Sequence, residues 1–361
     1  MASDPELASW LRLTLVPGLG PQGQRKLLSA FGLPSRVFAA GYSALTKHIG
    51  EELARRLLGH DAAEQIEAAL AWAAEPDHHV LTLADDGYPA ALLEISNPPT
   101  LLYVQGHAEL LARPMLAVVG SRNATAQGLS NAEQFSAALS RAGLTIVSGL
   151  ALGIDAAAHR GALRGPASTI AVLGTGVDIR YPTRNAALYE AIAKDGALLS
   201  EFPLGTAAVS LNFPRRNRLI SGLSKGVLVV EAALSSGSLI TARYAGEQGR
   251  ELFAIPGSIH SPLSKGCHAL IKQGAKLVDS AQDVLEELGA WQKTALQEKD
   301  ESPSISSDHS LLQHLGHDPC SIDMLCLRSG LTPDSVSAIL LELELDGRVA
   351  CLPGGRYQRI P

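Results

Sequence analysis

MLAVVG (115–120) is the first of six apolar runs that decide the fold. The other five are LTIVSG (144–149), TIAVLG (169–174), ALLSE (197–201), GVLVVEA (226–232) and ELFAIPG (251–257). Runs that are apolar almost throughout are typical of parallel strands covered by helices on both faces, and the intervening segments are long enough for crossover helices. We therefore predict that residues 113–288 form an α/β domain with a Rossmann-like, mostly parallel sheet. Its ligand site should lie at the carboxyl ends of the strands.

The sequence before this domain predicts a helical unit followed by a connecting segment. Residues 1–75 have helical patterns, and LVPGLGPQGQRKLLSAFG (15–32) contains the Pro-Gly-x-Gly turn of a helix-hairpin-helix. Such a hairpin presents backbone N–H groups to DNA phosphate, whereas the alternative, a compact helical adaptor, is favoured by the acidic balance of this region. Residues 76–112 are expected to connect the two domains and to pack on the edge of the sheet.

The C-terminal segments predict a linker and a small DNA-binding-like domain. Residues 289–307 are polar and rich in Ser and Glu, as in a linker. Residues 308–361 have the pattern of a winged helix. The would-be recognition helix, PDSVSAILLELELDG (333–347), carries four acidic residues and no Lys or Arg. Because those carboxylates would repel phosphate, a protein-contact or regulatory role is favoured over reading of a duplex groove.

The charge distribution, the apolar runs and the cysteine count limit the classes of protein to which this chain can belong. The chain of 361 residues has a net charge of −6, yet residues 113–288 carry 17 basic against 13 acidic side chains, so the positive charge is central. No apolar run approaches the roughly 18 residues of a membrane span, and the N-terminus lacks the pattern of a secretory signal. Four cysteines do not make a disulfide framework. We expect a cytoplasmic protein with reduced thiols.

Five glycine-rich turns supply candidate phosphate sites. Gly120, Ser121 and Arg122 follow the first strand, where the next helix should point unpaired N–H groups at an anion and Arg122 should add a forked donor. Ser148 and Gly149 end the second strand. The third turn carries Arg180 and Arg184, and the fifth places Ser236, Gly237, Ser238 and Thr241 at a helix start, with Arg243 one turn later. Several such turns on one sheet edge fit a polyphosphate chain better than a single nucleotide.

The fourth turn, NFPRRNRLISGLSKG (212–226), gives the strongest signal. Its candidate binding residues are Asn212, Phe213, Arg215, Arg216, Asn217 and Arg218. Guanidinium groups suit backbone phosphates, and an aromatic ring suits an unstacked base, a pairing that favours single strands because a duplex hides its base faces. We expect these residues to precede a helix. The alternative is a core Phe beside a solvated basic turn.

The order of these motifs resembles the DprA/Smf (DNA processing protein A) family throughout residues 113–288. The motifs are GSR, SGLALGIDAAAH, TIAVLGTGVDIRYP, FPRRNRLISGLS, SGSLITARYA and FAIPGS. The resemblance implies a sterile-alpha-motif-like N-terminal domain and a winged-helix C-terminal domain. It also implies a homodimer, without enzymatic activity or a cofactor, that binds single-stranded DNA during natural transformation, shields it from nucleases and helps load the RecA recombinase.

Position by position, Arg122 and the segment from Phe213 to Arg218 match the strand-binding pocket of that family. One departure is Thr183, where some members carry Lys. The neighbouring Arg184 is the candidate to make that phosphate contact.

The sequence also allows three other interpretations. The sheet pattern also resembles nucleotide hydrolases of the lysine-decarboxylase-like group, but SSGSLITA (235–242) replaces their Pro-Gly-Gly-x-Gly-Thr loop. A duplex-binding regulator acting through the winged helix is disfavoured by the acidic helix. Asp155 and His159 stand four apart on one helix, which suits an acid/base pair, yet without a nearby nucleophile polar contacts within the fold are favoured.

His314, His317, Cys320 and Cys326 near the C-terminus are candidate metal ligands. Their spacing fits no closed structural zinc site, so no bound metal is predicted.

Overall fold

The computed structural model describes residues 5–289, 311–315 and 319–360. Within residues 5–289, nine strands form one sheet. They are β1 (His78–Thr82), β2 (Leu101–Gly106), β3 (Met115–Val119), β4 (Thr145–Ser148), β5 (Thr169–Val172), β6 (Ala197–Ser200), β7 (Gly226–Val229), β8 (Glu251–Ala254) and β9 (Lys276–Leu277). The spatial order is β1-β2-β6-β5-β4-β3-β7-β8-β9. All pairings from β6 to β9 are parallel, which confirms the predicted mostly parallel sheet.

The central strands are buried on both faces, as their unbroken apolar runs predict. In β3, Ala117 and Val119 belong to the apolar core on one face of the sheet, whereas Leu116 and Val118 belong to the core on the other. This division follows from the alternation of side chains along a strand. Each of the six predicted runs contains one of the strands from β3 to β8.

Residues 5–289 contain thirteen α-helices, five in the N-terminal unit and eight in the rest of this range. The N-terminal unit contains α1 (Pro5–Leu15), α2 (Pro21–Phe31), α3 (Pro34–Ala39), α4 (Tyr42–Gly59) and α5 (Ala63–Ala73). The helices that follow are α6 (Ala90–Leu93), α7 (Ala126–Arg141), α8 (Ile154–Ala162), α9 (Ala186–Asp195), α10 (Asn212–Leu223), α11 (Ser238–Glu247), α12 (Lys265–Lys272) and α13 (Ala281–Glu287). The helical character predicted for the N-terminal region is confirmed.

The α1–α2 hairpin turn contains Gly18 at a φ of 81°, a backbone conformation that favours glycine. Leu13, Leu27 and Leu57 are fully buried in a core of the N-terminal unit itself. This core joins α1 to α4, whereas Trp10 of α1 and Ala69 of α5 pack into a core shared with the sheet.

The connecting segment 76–112 extends the sheet. Its strand β2 pairs antiparallel with β6, and β1 pairs antiparallel with β2. The expected packing at the sheet edge therefore takes the form of two added strands.

The winged-helix pattern at the C-terminus is confirmed. Its elements are α14 (Leu311–Leu315), β10 (Cys320–Ser321), α15 (Ile322–Ser329), α16 (Pro333–Leu345), β11 (Val349–Leu352) and β12 (Arg356–Arg359). The three strands form an antiparallel sheet in the order β10-β12-β11. The predicted linker 289–307 lies outside the described residues apart from Gly289. In the described ranges, no helix combines the length and apolarity needed to cross a bilayer.

Candidate nucleic-acid interface

The sheet changes its winding direction between β3 and β7. Strands β4, β5 and β6 follow on one side of β3, whereas β7 and β8 lie on the other side. Ligands of open α/β sheets bind at such a point, outside the carboxyl ends of the strands. Here a cavity of about 770 Å³ opens at that position. The predicted site residues that line it are Gly120, Ser121, Arg122, Phe213, Arg216, Asn217, Gly237, Ser238 and Thr241.

Two aromatic rings stand together at this cavity. The Phe213 ring is half-buried and lies against Gly174, where an added Cβ would be only 2.7 Å from Phe213 Cδ1. The Tyr181 side chain is 43% exposed, and its ring centroid lies 5.5 Å from that of Phe213. Tyr181 stands in the motif TIAVLGTGVDIRYP, but the sequence assigns its ring no role, because its contact with a ring 32 positions away leaves no local signal. Together the rings form a partly exposed aromatic surface.

The fourth motif is helical from its first residue, which corrects the expectation that it precedes a helix. Residues 212–218 form the first two turns of α10. Helical spacing then separates the side chains: Phe213, Arg216 and Asn217 line the cavity, whereas Arg215 lines a second cleft on the other side of α10.

Arg216 lies beneath the cavity and is only 4% exposed. Its Nη1 donates to the carbonyl of Gly149 at 2.8 Å and also to the carbonyl of Val172. Burial lowers the pKa of Arg216 to about 10, while the Asp155 carboxylate opposes that shift. Arg216 therefore ties α10 to the carboxyl ends of β4 and β5.

Arg218 and Arg215 face the Glu201 carboxylate. Their Nη2 atoms lie 2.7 Å and 3.2 Å from Glu201 Oε2, and the Glu201 side chain is 1% exposed. Arg218 is buried, whereas Arg215 remains partly open to solvent. The expectation that all three arginines face phosphate is revised accordingly, because Arg216 and Arg218 are committed to protein acceptors.

Arg122 is the exposed cation of the cavity. Gly120 has no room for a side chain, since an added Cβ would lie 2.7 Å from Ile154 Cγ1. Ser121 Oγ accepts from the Asn123 N–H at 3.1 Å and fixes the turn. Arg122 itself is exposed and pairs with no carboxylate in the part of the chain that the structure describes. Its guanidinium is thus available to an anionic ligand.

The expectation of unpaired N–H groups at the start of α7 is wrong for two donors, the N–H groups of Thr125 and Gly128. Thr125 Oγ1 accepts from the Gly128 N–H at 3.0 Å. The Glu231 carboxylate accepts from the Thr125 N–H at 2.9 Å and from the Thr125 hydroxyl at 2.6 Å. Burial raises the pKa of Glu231. Sequence analysis missed Glu231, although its place directly after an apolar strand run is a usable signal.

Ser148, Asp155 and His159 make structural contacts next to the cavity, and Asp155 also lines it. Ser148 Oγ donates to the Val118 carbonyl at 2.6 Å, so its side chain is turned into the sheet. Asp155 Oδ2 accepts from the Gly149 N–H at 3.1 Å, and burial raises the pKa of this carboxyl. These contacts are of the structural kind that the sequence favours for Asp155.

His159 is fully buried and neutral. The Thr169 hydroxyl donates to the Ile146 carbonyl at 2.7 Å, so it accepts from His159 Nδ1–H at 2.7 Å. His159 Nε2 is then free to accept from the Leu150 N–H at 3.3 Å. Burial lowers the pKa of His159 to about 3.

The start of α11 forms the opposite wall of the cavity. Ser236 Oγ and Ser238 Oγ share a hydrogen bond of 2.7 Å. Gly237 is exposed, and an added Cβ there would meet no atom within 4 Å. Thr241 is buried at the wall of the cavity, whereas Arg243 pairs with Glu247 at 3.6 Å.

Arg184 and Arg180 lie apart from the cavity lining. Arg184 is exposed, next to Thr183 in a short 3₁₀ turn. The Arg180 Nε atom lies 2.5 Å from Glu190 Oε1, so Arg180 already has an acidic partner. Arg184 remains a predicted phosphate contact at the edge of the site.

No group of three metal-ligating side chains occurs among the described residues. His317 lies outside them, so the absence of a bound metal stays a prediction.

Comparison with protein families gives two matches. Residues 79–289 match the family described as DNA recombination-mediator protein A. Residues 296–355 match the DprA winged helix domain.

Individual relatives agree with these matches. The chain is 45% identical to protein Smf of Escherichia coli K12 over 82% of its own length and 81% of the relative. It resembles the X-ray structure of DNA processing protein A from Streptococcus pneumoniae with a TM-score of 0.68 and 40% identity, covering 80% of this chain and 99% of the other. A second structure concerns the single-stranded DNA binding mode of the Helicobacter pylori protein, with a TM-score of 0.54 and 32% identity. That match covers 58% of this chain and 95% of the other.

Proposed function

The chain belongs to the DNA processing protein A (DprA/Smf) family, and from this premise we propose that it binds single-stranded DNA in the cavity between β3 and β7. The observation that carries the proposal is the pairing of Phe213 and Tyr181 with the exposed Arg122 around one cavity. Unstacked bases pack on aromatic rings, and backbone phosphates bind guanidinium groups. A duplex hides its base faces, so the pairing favours a single strand.

Phosphates of the strand have two places to bind in this proposal. One is the Arg122 guanidinium on the β3 side, and the other is the exposed Gly237 turn at the start of α11 on the β7 side. The positive end of the α11 dipole favours an anion there, although Ser236 already accepts from the N–H groups of Ser238 and Leu239. Arg184 extends the proposed path beyond the cavity, while Arg216 and Arg218 hold α10 in place.

The broader role follows the family. We propose that the protein shields incoming strands from nucleases during natural transformation, helps load the RecA recombinase onto them, and acts as a homodimer without catalysing a reaction. Light scattering of the purified protein tests the dimer, since a monomeric mass at micromolar concentration would contradict it. RecA-dependent ATP hydrolysis on a strand already covered by single-strand-binding protein tests loading, because a mediator shortens its lag.

Among the described residues, no observation favours a nucleotide hydrolase or a duplex-binding regulator. A hydrolase would need an available acid or base, whereas Asp155 and His159 are engaged in the fold. A duplex reader would place α16 against phosphate, although Asp334 and Glu344 are exposed on that helix.

The test is a salt titration of binding to an unstructured single strand and to a duplex of equal length. We expect the strand to bind more tightly, with a log–log salt slope of about −0.7 for each phosphate contact. Equal affinity for the duplex, or a strand affinity that does not change with salt, would overturn the proposal.

A further inference from the structure

The Glu231 carboxylate stands where the fold would otherwise receive a phosphate. Glu231 follows β7 and reaches across the point where the sheet reverses to the start of α7. Its two oxygens accept from the backbone and hydroxyl of Thr125 at 2.9 Å and 2.6 Å. An added Cβ on Gly128 would lie 2.4 Å from the carboxyl carbon. The carboxylate therefore lies directly against the first turn of α7.

A helix start beside the central strand is the preferred phosphate position of nucleotide-binding α/β sheets. In this protein that position already holds a negative charge with its own hydrogen bonds. A phosphate monoester carries about −1.5 to −2 charges near pH 7. To bind there it would have to displace Glu231 and then remain next to it, so Coulomb repulsion opposes binding.

A DNA strand does not need that position. Each phosphodiester carries a single negative charge, and the strand has separate contacts at Arg122, at the Gly237 turn and on the Phe213 ring. Its binding free energy is spread over these places, whereas a mononucleotide depends on one phosphate. The same carboxylate thus penalises the two ligands unequally.

We propose that Glu231 is a specificity-determining residue that keeps phosphate monoesters, including free mononucleotides, from the start of α7, beside the strand-binding cavity. The inference rests on the proposed function for its meaning, since it explains how a strand binder avoids occupation by the nucleotide pool. Glu231 acts by its charge and its place at the α7 start.

The test compares wild-type protein with Glu231→Gln, which keeps the shape of the side chain and removes its charge. Calorimetry at fixed ionic strength and neutral pH measures binding of deoxyadenosine 5′-monophosphate and of an unstructured oligothymidylate. We expect the affinity for the mononucleotide to rise at least about tenfold, because a like charge next to the phosphate has been removed. The affinity for the strand should change by less than about threefold, since its contacts lie elsewhere.

Two matched variants separate charge from other effects. Glu251→Gln removes a carboxylate at the amino end of β8, on the opposite edge of the sheet from the cavity, and should leave mononucleotide binding unchanged. Thr125→Val removes the hydroxyl partner of Glu231 but keeps the charge, and should also give no gain.

The proposal is overturned if Glu231→Gln binds the mononucleotide no better than wild type. It is equally overturned if Glu251→Gln or Thr125→Val produces the same gain, because general charge or a loosened helix start would then explain it. Failure of the proposed function has a different signature: wild-type protein would not bind the oligothymidylate, whatever the mononucleotide result.

Discussion

Phe213 and Arg216 are three positions apart in α10 and both line the cavity, yet their environments differ. The aromatic residue keeps part of its ring exposed, whereas the guanidinium is buried under carbonyls from two strands. Sequence could predict that an aromatic and several arginines meet here. It could not predict which arginines are buried, because the acceptors of Arg216 lie at the carboxyl ends of β4 and β5, at Gly149 and Val172.

Replacing Phe213 with Leu should weaken strand binding by about 1–3 kcal/mol, the usual contribution of one base stacked on a ring. Leucine keeps apolar volume against Gly174 but offers no ring face. The salt slope should stay near the wild-type value, since no phosphate contact is lost. Fluorescence anisotropy over a range of salt concentrations measures both quantities. Phe213→Tyr is the control that keeps the ring, and equal affinity of the Leu variant and wild type would remove stacking from the mechanism.

Arg122→Ala should weaken DNA binding, whereas Arg216→Ala should destabilise the fold. Loss of the exposed Arg122 should reduce the magnitude of the salt slope by about 0.7, as for one phosphate contact. Loss of the buried Arg216 should instead lower the free energy of unfolding by about 3 kcal/mol, because two charge-assisted hydrogen bonds disappear. Denaturant titration and salt-dependent binding report the two effects. Arg141→Ala, exposed at the far end of α7, controls for the loss of a positive charge.

The sequence predicted strands correctly where the apolar runs were long. All six runs became strands, but β1, β2 and β9 were missed because β9 has two residues and the other two belong to a segment read as a connection. The start of α10 was misread for another reason. Pro214 looks like a helix breaker, yet in the first turn its missing N–H has no intrahelical partner to lose.

Gly174, in the turn after β5, lies close to the Phe213 ring, and Gly174→Ala tests whether this contact sets the position of the ring. An added methyl group would press on the Phe213 ring, so we expect the ring to shift and strand affinity to fall by roughly 1 kcal/mol or more, the usual range for overpacking. Gly246→Ala, near the far end of α11, is the matched control, because open space surrounds that position. Anisotropy titrations of both variants measure the difference. Similar affinities for the two would show that the Phe213 position is not set by Gly174.

For the whole molecule, sequence predicted the architecture better than the site. The apolar runs, the C-terminal helix and strand pattern, and the central excess of positive charge each depend on residues close together in the chain. The floor of the cavity depends on pairs such as Arg216 with Gly149, separated by 67 positions, and the start of α7 depends on Glu231 with Thr125, separated by 106. No short motif specifies such a pair, so the capped start of α7 could be found only in three dimensions.

Stability should fall in acid partly because of His159. The folded pKa of about 3 lies below the ordinary value of 6.5, so between these values the unfolded chain binds a proton that the folded protein does not. Folding stability is therefore lost as pH falls from 6.5 towards 3, at up to about 1.4 kcal/mol per pH unit for this group. Denaturant titrations at several pH values should give a shallower dependence for His159→Gln than for wild type. His260→Gln, an exposed position, controls for loss of a histidine, and identical profiles for all three proteins would contradict the assignment.

The neighbouring positions of β3 and β7 also constrain the order of events during synthesis. Their paired residues, such as Leu116 and Gly226, are separated by more than a hundred positions, while β4, β5 and β6 are made in between. A nascent chain that ends before Gly226 has β3 as an unpaired edge and lacks one whole wall of the cavity. Such an edge is open to association with other chains. The ribosome must therefore deliver β7 before β3 is paired on both sides, and the start of α11, which follows β7, before the cavity has its second wall.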